Sequence, residues 1–192
     1  MTSMSNSTPS GEQLDFTGVA SAPVQEPTPQ QVQKAREEAR IGSPQLERAG
    51  FYVTIARHSA VRIPPRNGEK YAILVVEDDP DLGQLLIDIF MLSGFEVRWA
   101  SNREEITAEM NRKPMADLVL MDIVLPDADG LEVLQHIRAH PRLASLPVIM
   151  MTGKAGAHDV EAGLAAGADG YVSKPFKMSG LVKAVNVVLG NA

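Results

Sequence analysis

The stretch ADLVLMDIVLPDADG at residues 116–130 constrains the fold more than any other part of the chain. Residues 118–121 form an uninterrupted apolar run, which is typical of a parallel strand buried on both faces. Asp122 follows this run directly, so we expect it at the carboxyl end of a central strand. Open α/β sheets bind their ligands at that edge. The stretch therefore predicts a parallel sheet with a functional carboxylate at its carboxyl edge.

From residue 71 onward, apolar segments of strand length alternate with segments of helical periodicity. The pattern predicts five strands, at 71–76, 95–99, 117–121, 147–151 and 170–173, each followed by a helix. Alternation of this kind predicts right-handed crossover connections between parallel strands. The expected fold is α/β, a doubly wound five-stranded parallel sheet between two layers of helices.

Polar residues with related chemistry follow four of the five predicted strands: Glu77 and Asp78, then Asp122, Thr152 and Lys174. In a doubly wound sheet these positions meet at one edge. Three carboxylates so close together repel one another unless a cation joins them, and oxygen ligands of this kind suit Mg²⁺. One carboxylate can then serve as a nucleophile toward a phosphoryl group. Lysine would neutralise phosphoryl oxygens and threonine would donate a hydrogen bond to them.

The same positions resemble the receiver domain of two-component response regulators. The matching motifs, in chain order, are ILVVED at 73–78, LMD at 120–122, Pro126, DGL at 129–131, MT at 151–152 and KPF at 174–176. They span all five predicted strands and about two-thirds of the chain. The resemblance implies the flavodoxin-like three-layer sandwich with five helices and the strand order 2-1-3-4-5.

The resemblance also implies roles for the acidic residues. Asp122 would accept a phosphoryl group from a histidine kinase or a histidine phosphotransfer protein. Asp78 and Asp122 would bind Mg²⁺ directly, together with the backbone carbonyl of Val124. Glu77 would hold a water molecule bound to the metal.

Two further pairs of residues bear on events after phosphorylation. By the same resemblance, Thr152 and Tyr171 match a switch pair, in which the hydroxyl moves toward the phosphoryl group and the ring turns inward. Val124 has no polar group to orient an attacking water, and Lys154 is long enough to cover the phosphoryl group or pair with it. We therefore expect Val124 and Lys154 to tune dephosphorylation and the aspartyl phosphate to hydrolyse slowly.

The part of the chain before residue 71 has a different character. Residues 1–33 are rich in Ser, Thr, Pro and Gln, which predicts that the segment 1–44 is a mostly disordered tail with one possible short helix. Residues 45–70 form a basic, partly apolar extension and linker, with a strand or hairpin pattern between 51 and 63. We therefore divide the chain into segments 1–44 and 45–70 and a receiver at 71–192.

The composition of the chain limits which cellular compartment and which kinds of partner we expect. The chain has no cysteine, no apolar run of membrane-spanning length and no signal pattern, so we expect a cytoplasmic protein without a membrane span. Residues 71–192 carry 10 Lys and Arg against 17 Asp and Glu, a net charge of −7. Nucleic-acid binding needs a basic surface, so this acidity predicts no direct DNA binding.

These features favour phosphorelay signalling over enzymatic turnover of other substrates. No effector pattern follows the last helix, so we expect a stand-alone receiver with an N-terminal extension, which acts through contact with a downstream protein. Its only catalysis would be its own phosphorylation and slow dephosphorylation. Two alternatives stay open: a receiver-like scaffold that is never phosphorylated, and a phosphatase-like enzyme, which would need a substrate-cap insertion. The cognate kinase, the target and the oligomeric state stay open too.

Overall fold

The computed structural model describes residues 53–55, 62–66, 68–153 and 162–191. The predicted tail at 1–44, Lys154 and half of the predicted fourth helix lie outside the described residues, and so does part of the extension at 45–70.

One sheet of six strands organises the described chain. In chain order the strands are β1 (Val53–Ile55), β2 (Ala72–Val76), β3 (Glu96–Ala100), β4 (Leu118–Asp122), β5 (Val148–Thr152) and β6 (Gly170–Ser173). Their order across the sheet is β1-β6-β5-β4-β2-β3, and β2 to β6 are parallel. For the five parallel strands this is the predicted order 2-1-3-4-5, which confirms the fold class.

A helix follows each parallel strand: α1 (Pro80–Leu92), α2 (Arg103–Asn111), α3 (Gly130–Ala139), α4 (the helical residues 162–165) and α5 (Met178–Leu189). Asp79, Asn102 and Asp129 cap the first three, each accepting a main-chain N–H of the first turn at 2.8 or 2.9 Å. Such caps satisfy N–H groups that have no partner within the helix. Among the described helices, none is long and apolar enough to cross a bilayer.

The core lies in two layers, one on each face of the sheet. Along β2, Leu74 and Val76 face a cluster filled by α2, α3 and α4, whereas Ile73 and Val75 face a cluster filled by α1 and α5. Both faces of the central strands are therefore buried, which is why their sequences read as continuous apolar runs.

The described part of the extension is attached to this sheet. Strand β1 pairs antiparallel with β6, so that Thr54 lies opposite Tyr171. Further along, the N–H of Ile63 donates to the carbonyl oxygen of Leu189 at the end of α5, at 3.0 Å. The hydroxyl of Tyr71 donates to the carbonyl oxygen of Ile63 at 2.6 Å. A strand thus occurs where the sequence predicts a strand or hairpin, and it covers the edge of the parallel sheet.

Candidate functional site

Three carboxylates meet at the carboxyl ends of β2 and β4. Because Val76 pairs with Met121, the next residues along these strands, Glu77 and Asp122, are neighbours. Oxygen atoms of Glu77, Asp78 and Asp122 all lie within 4.8 Å of one another. Glu77 and Asp122 are only 1% and 6% exposed, whereas Asp78 is exposed. The fold therefore assembles the predicted acidic cluster, with two carboxylates shielded from solvent and one open to it.

Lys174, directly after β6, reaches into this cluster. Its Nζ donates to Asp122 Oδ2 at 2.5 Å and to Glu77 Oε2 at 2.7 Å. The Lys174 main chain is held by its neighbour strand, since its N–H donates to the carbonyl oxygen of Thr152 at 2.6 Å. The ammonium is thus fixed between the two buried carboxylates.

Burial and ion pairing have opposite effects on the pKa values of Glu77 and Lys174. Burial is the largest effect on Glu77 and raises the pKa of its carboxyl group, although Lys174 opposes the change. Burial by itself would lower the pKa of Lys174, but its bonds to Asp122 and Glu77 outweigh burial and raise it. Lys174 therefore stays charged. A further cation close to Glu77 would favour the ionised form of the Glu77 carboxyl group.

The loop after Asp122 is folded back onto the site. The N–H of Val124 donates to Asp122 Oδ1 at 3.1 Å, and the N–H of Gly130 donates to the carbonyl oxygen of Ile123 at 2.8 Å. A Cβ atom at Gly130 would lie 2.2 Å from the carbonyl oxygen of Asp122, so no side chain fits there. Val124 is 58% exposed. Val124 thus contacts Asp122 through its main chain and presents an apolar side chain to solvent.

The two predicted switch residues lie on β5 and β6. Thr152 ends β5 and is fully buried, one residue beyond Met151, which pairs with Asp122. Tyr171 is also fully buried, and a Cβ atom at Gly163 would lie 3.0 Å from its ring. The ring therefore already lies inward in this structure. The switch roles of Thr152 and Tyr171 stay predictions, and Lys154 lies outside the described residues.

Two contacts to the site were missed at the level of sequence. Trp99, interpreted only as an alternating strand residue, donates from Nε1 to the carbonyl oxygen of Glu77 at 2.8 Å. Arg103, at the start of α2, donates from Nε to the carbonyl oxygen of Asp127 at 3.1 Å and so tethers the loop after Asp122. The available signal for Trp99 was its position near the end of a strand next to the one that carries Glu77 and Asp78.

The donor set fits a hard divalent cation. It consists only of oxygen atoms, and three carboxylates against one ammonium would leave a net negative site when all are ionised. Asp122 accepts one N–H on Oδ1 and the lysine on Oδ2, and each carboxylate oxygen has further lone pairs. Mg²⁺ typically takes one or two carboxylates and keeps several waters, which the exposed Asp78 allows.

A family model for the response regulator receiver domain matches residues 73–186. The chain belongs to the response regulator receiver family. It is 36% identical over 121 residues to the transcriptional regulatory protein GltR of Pseudomonas aeruginosa, covering 63% of this chain and 50% of GltR. It is 39% identical over 118 residues to the DNA-binding response regulator MtrA of Mycolicibacterium smegmatis, covering 61% of this chain and 50% of MtrA.

A solved structure extends the likeness to three dimensions. A CheY-like response regulator receiver domain protein from Methanospirillum hungatei superposes with a TM-score of 0.57 and 32% identity, covering 64% of this chain and 95% of that one. The match therefore includes nearly the whole of the Methanospirillum hungatei chain. By contrast, this chain spans about half the length of the curated relatives GltR and MtrA.

The prediction of no direct DNA binding was wrong. Relatives that share this receiver are named transcriptional regulatory proteins, and MtrA is named a DNA-binding response regulator. The net charge of −7 belongs to residues 71–192. Because a basic surface on another part of a protein can bind DNA independently of an acidic domain, the charge of the receiver does not exclude DNA binding.

Proposed function

We propose that this receiver signals by accepting a phosphoryl group on Asp122, from a histidine kinase or a histidine phosphotransfer protein. The observation that carries the proposal is the contact of one lysine with two buried carboxylates: Lys174 holds Asp122 and Glu77, with Asp78 beside them. A structural ion pair would need only one carboxylate for one lysine. The surplus of negative charge favours a site that works with additional positive charge.

The proposed reaction needs one nucleophilic oxygen and stabilisation of phosphoryl charge. A carboxylate oxygen of Asp122 attacks phosphorus, the new P–O bond forms, and the P–N bond to the donor imidazole breaks. Lys174 lies where it can neutralise phosphoryl oxygens, and the Val124 N–H keeps the carboxylate oriented. Asp78, Asp122 and the Val124 carbonyl would hold Mg²⁺, with Glu77 acting through water. When bound, the ion supplies further neutralisation of phosphoryl charge.

The output we propose is contact with a downstream protein that depends on phosphorylation. Thr152 would donate to the phosphoryl group, and Tyr171 on the neighbouring strand β6 would carry the change to the edge where β1 pairs. The reaction would be confined to the protein's own carboxylate, with slow hydrolysis because Val124 cannot orient water. The cytoplasmic location expected from the sequence belongs to the same proposal. A receiver-like scaffold that is never phosphorylated is the alternative.

Intact mass after treatment with acetyl phosphate and Mg²⁺ tests this proposal. We expect the wild type to gain one phosphoryl group, which hydroxylamine removes as it does other acyl phosphates. Asp122→Asn and wild type with EDTA should gain none, while Asp88→Asn, which changes an exposed carboxylate on α1, should gain one. No gain in the wild type would favour the scaffold, and a gain in Asp122→Asn would place the acceptor elsewhere. Turnover of added phosphoesters would favour an enzyme.

A further inference from the structure

Trp99 is the only tryptophan of the chain, and its indole lies against the main chain of the acidic site. It projects from β3, and Nε1 donates to the carbonyl oxygen of Glu77 at 2.8 Å. The residue is 37% exposed, so burial of apolar surface accounts for only part of its placement. The hydrogen bond is the specific feature that calls for an explanation.

The hydrogen-bond ladder between β2 and β3 ends just before the carbonyl of Glu77. The two strands pair in register from Ala72 with Glu96 to Val76 with Ala100, and the N–H of Glu77 still donates to the carbonyl oxygen of Ala100 at 3.1 Å. A longer β3 would next offer a main-chain N–H to the carbonyl of Glu77. Strand β3 ends at Ala100, however, and the Trp99 indole supplies the donor in its place.

A glycine in α1 makes room for the indole. A Cβ atom at Gly83 would lie 2.9 Å from both Cε2 and Nε1 of Trp99, which is closer than real Cβ contacts. Glycine inside a helix is destabilising relative to alanine. The chain accepts this cost at an α1 position where a side chain would push Nε1 away from the carbonyl of Glu77.

We infer that Trp99 is a positioning residue for Glu77 and Asp78, and that Gly83 leaves the space that the Trp99 indole requires. The carbonyl that Trp99 holds belongs to the peptide unit joining Glu77 to Asp78. Fixing that unit sets the direction in which both side chains leave the main chain: Glu77 toward Lys174, and Asp78 toward solvent beside Asp122. Trp99 thereby prepares the carboxylates for a divalent cation. This inference rests on the proposed metal-dependent function.

The test compares two substitutions that break the same hydrogen bond from opposite sides. Trp99→Phe keeps a ring and removes the donor, and Gly83→Ala displaces the indole. Mn²⁺ binding, followed by EPR of the free ion with Mg²⁺ as competitor, measures affinity without a phosphodonor. We expect each variant to bind Mg²⁺ about tenfold more weakly, the lower end of the effect of removing a group that orients a metal ligand. Val97→Ala, on the same strand, controls for general loss of packing and should bind within twofold of wild type.

The double variant of Trp99 and Gly83 distinguishes a positioning role from a general loss of stability. If Gly83→Ala acts only through the indole, then adding it to Trp99→Phe should cause little further loss of Mg²⁺ affinity, because neighbouring residues with a shared partner are not additive. The single indole N–H cross-peak in a ¹H–¹⁵N spectrum gives an independent signature. It should exchange slowly with solvent and shift with Mg²⁺ in the wild type, and lose both properties in Gly83→Ala.

The outcomes also separate this inference from the function on which it rests. If the wild type binds Mg²⁺ but Trp99→Phe and Gly83→Ala both stay within twofold of it, only the positioning role is overturned. If the wild type binds neither ion, the metal site of the proposed function fails and the positioning role fails with it. Weaker binding in both variants, with an unshifted Val97→Ala control, supports both.

Discussion

The ammonium of Lys174 donates to the carboxylate of Asp122 at 2.5 Å, so the proposed nucleophile is paired with a cation before any phosphoryl group arrives. The same Nζ atom also donates to Glu77 at 2.7 Å. One lysine therefore pairs with two buried carboxylates, and at Glu77 it opposes the rise in pKa that burial causes. Stability and chemistry depend on the same contact, which makes Lys174 the most informative position to change.

Lys174→Met should destabilise the protein in the absence of divalent ions and make its stability depend on them. Removing one partner of a buried pair leaves a charge without compensation, at a cost of about 3–5 kcal/mol when burial is complete. Because the Lys174 side chain keeps 20% of its exposure, we expect roughly 2 kcal/mol. Mg²⁺ should recover more stability in the variant than in the wild type. Urea unfolding in EDTA and in Mg²⁺ measures both effects.

Lys183→Met is the matched control, since it removes an exposed lysine from α5. Its free energy of unfolding should stay within about 0.5 kcal/mol of wild type, as for most surface substitutions. Equal stability of Lys174→Met and Lys183→Met in EDTA would contradict the paired role of Lys174.

Val124→Asn should shorten the lifetime of the phosphorylated protein. Val124 is 58% exposed and its side chain is apolar, so it cannot orient a water molecule toward phosphorus. An amide at this place can, and we expect hydrolysis to be about tenfold faster, below the 10²–10⁴ range of full acid–base catalysis. Loss of the phosphoryl group from purified protein in Mg²⁺, followed by intact mass, gives the rate. Val124→Ile should match the wild type, and wild-type decay within seconds would rule out a slow aspartyl phosphate.

The parallel sheet and the acidic site could be predicted from the sequence because both follow from local patterns and general topology. Runs such as 118–121 report burial on two faces, and right-handed crossovers bring the carboxyl ends of the strands to one edge. Asp78, Asp122 and Lys174 each lie at or just beyond the carboxyl end of a parallel strand, so their convergence needed no knowledge of side-chain packing.

The contacts that escaped prediction join elements that local patterns do not relate. Alternation around Val53 and Ile55 indicated a strand, but its pairing with β6 is a property of the sheet edge, which accepts strands of many sequences. The bond from Trp99 to Glu77 depends on the end of β3 and on the space left by Gly83. Neither condition can be read from the residues around Trp99 alone.

Asp117→Asn should loosen the described end of the extension. The Asp117 side chain is fully buried and accepts the N–H of Arg66 and the N–H of Ala72, each at 2.8 Å. An asparagine amide would turn a donor toward one of these N–H groups, which loses a bond and leaves a buried donor without a partner. The expected cost is about 1–3 kcal/mol. Hydrogen exchange of the main-chain N–H groups of Arg66 and Ala72 should also become faster, because both donate to Asp117.

Asp88→Asn is the control for this change, because it alters an exposed carboxylate whose acceptor oxygen an asparagine retains toward Gln84. Its stability and its exchange at residues 66 and 72 should match the wild type. Unchanged exchange in Asp117→Asn would show that the extension is held without this carboxylate.

Glu105→Gln should lower stability at neutral pH but not in acid. The main-chain N–H of Ser101 donates to Glu105 Oε2 at 2.7 Å, and its hydroxyl donates to the same atom at 3.0 Å. The main-chain bond is the largest effect on Glu105 and lowers the pKa of its carboxyl group below the ordinary 4.5. A lowered pKa in the folded state contributes stability that is fully present above pH 4.5 and is lost as the pH falls through the folded-state value.

The difference between wild type and Glu105→Gln should therefore be constant near neutral pH and shrink below pH 4.5. It should amount to less than about 1 kcal/mol, because Glu105 is exposed and solvent screens its charge. Urea unfolding across this range measures it. Glu104→Gln removes a negative charge from the same turn of α2 and leaves the contact with Ser101 in place, so subtracting its effect isolates the hydrogen bonds. A difference that persists unchanged in strong acid would mean that the ionised carboxylate is not what holds Ser101.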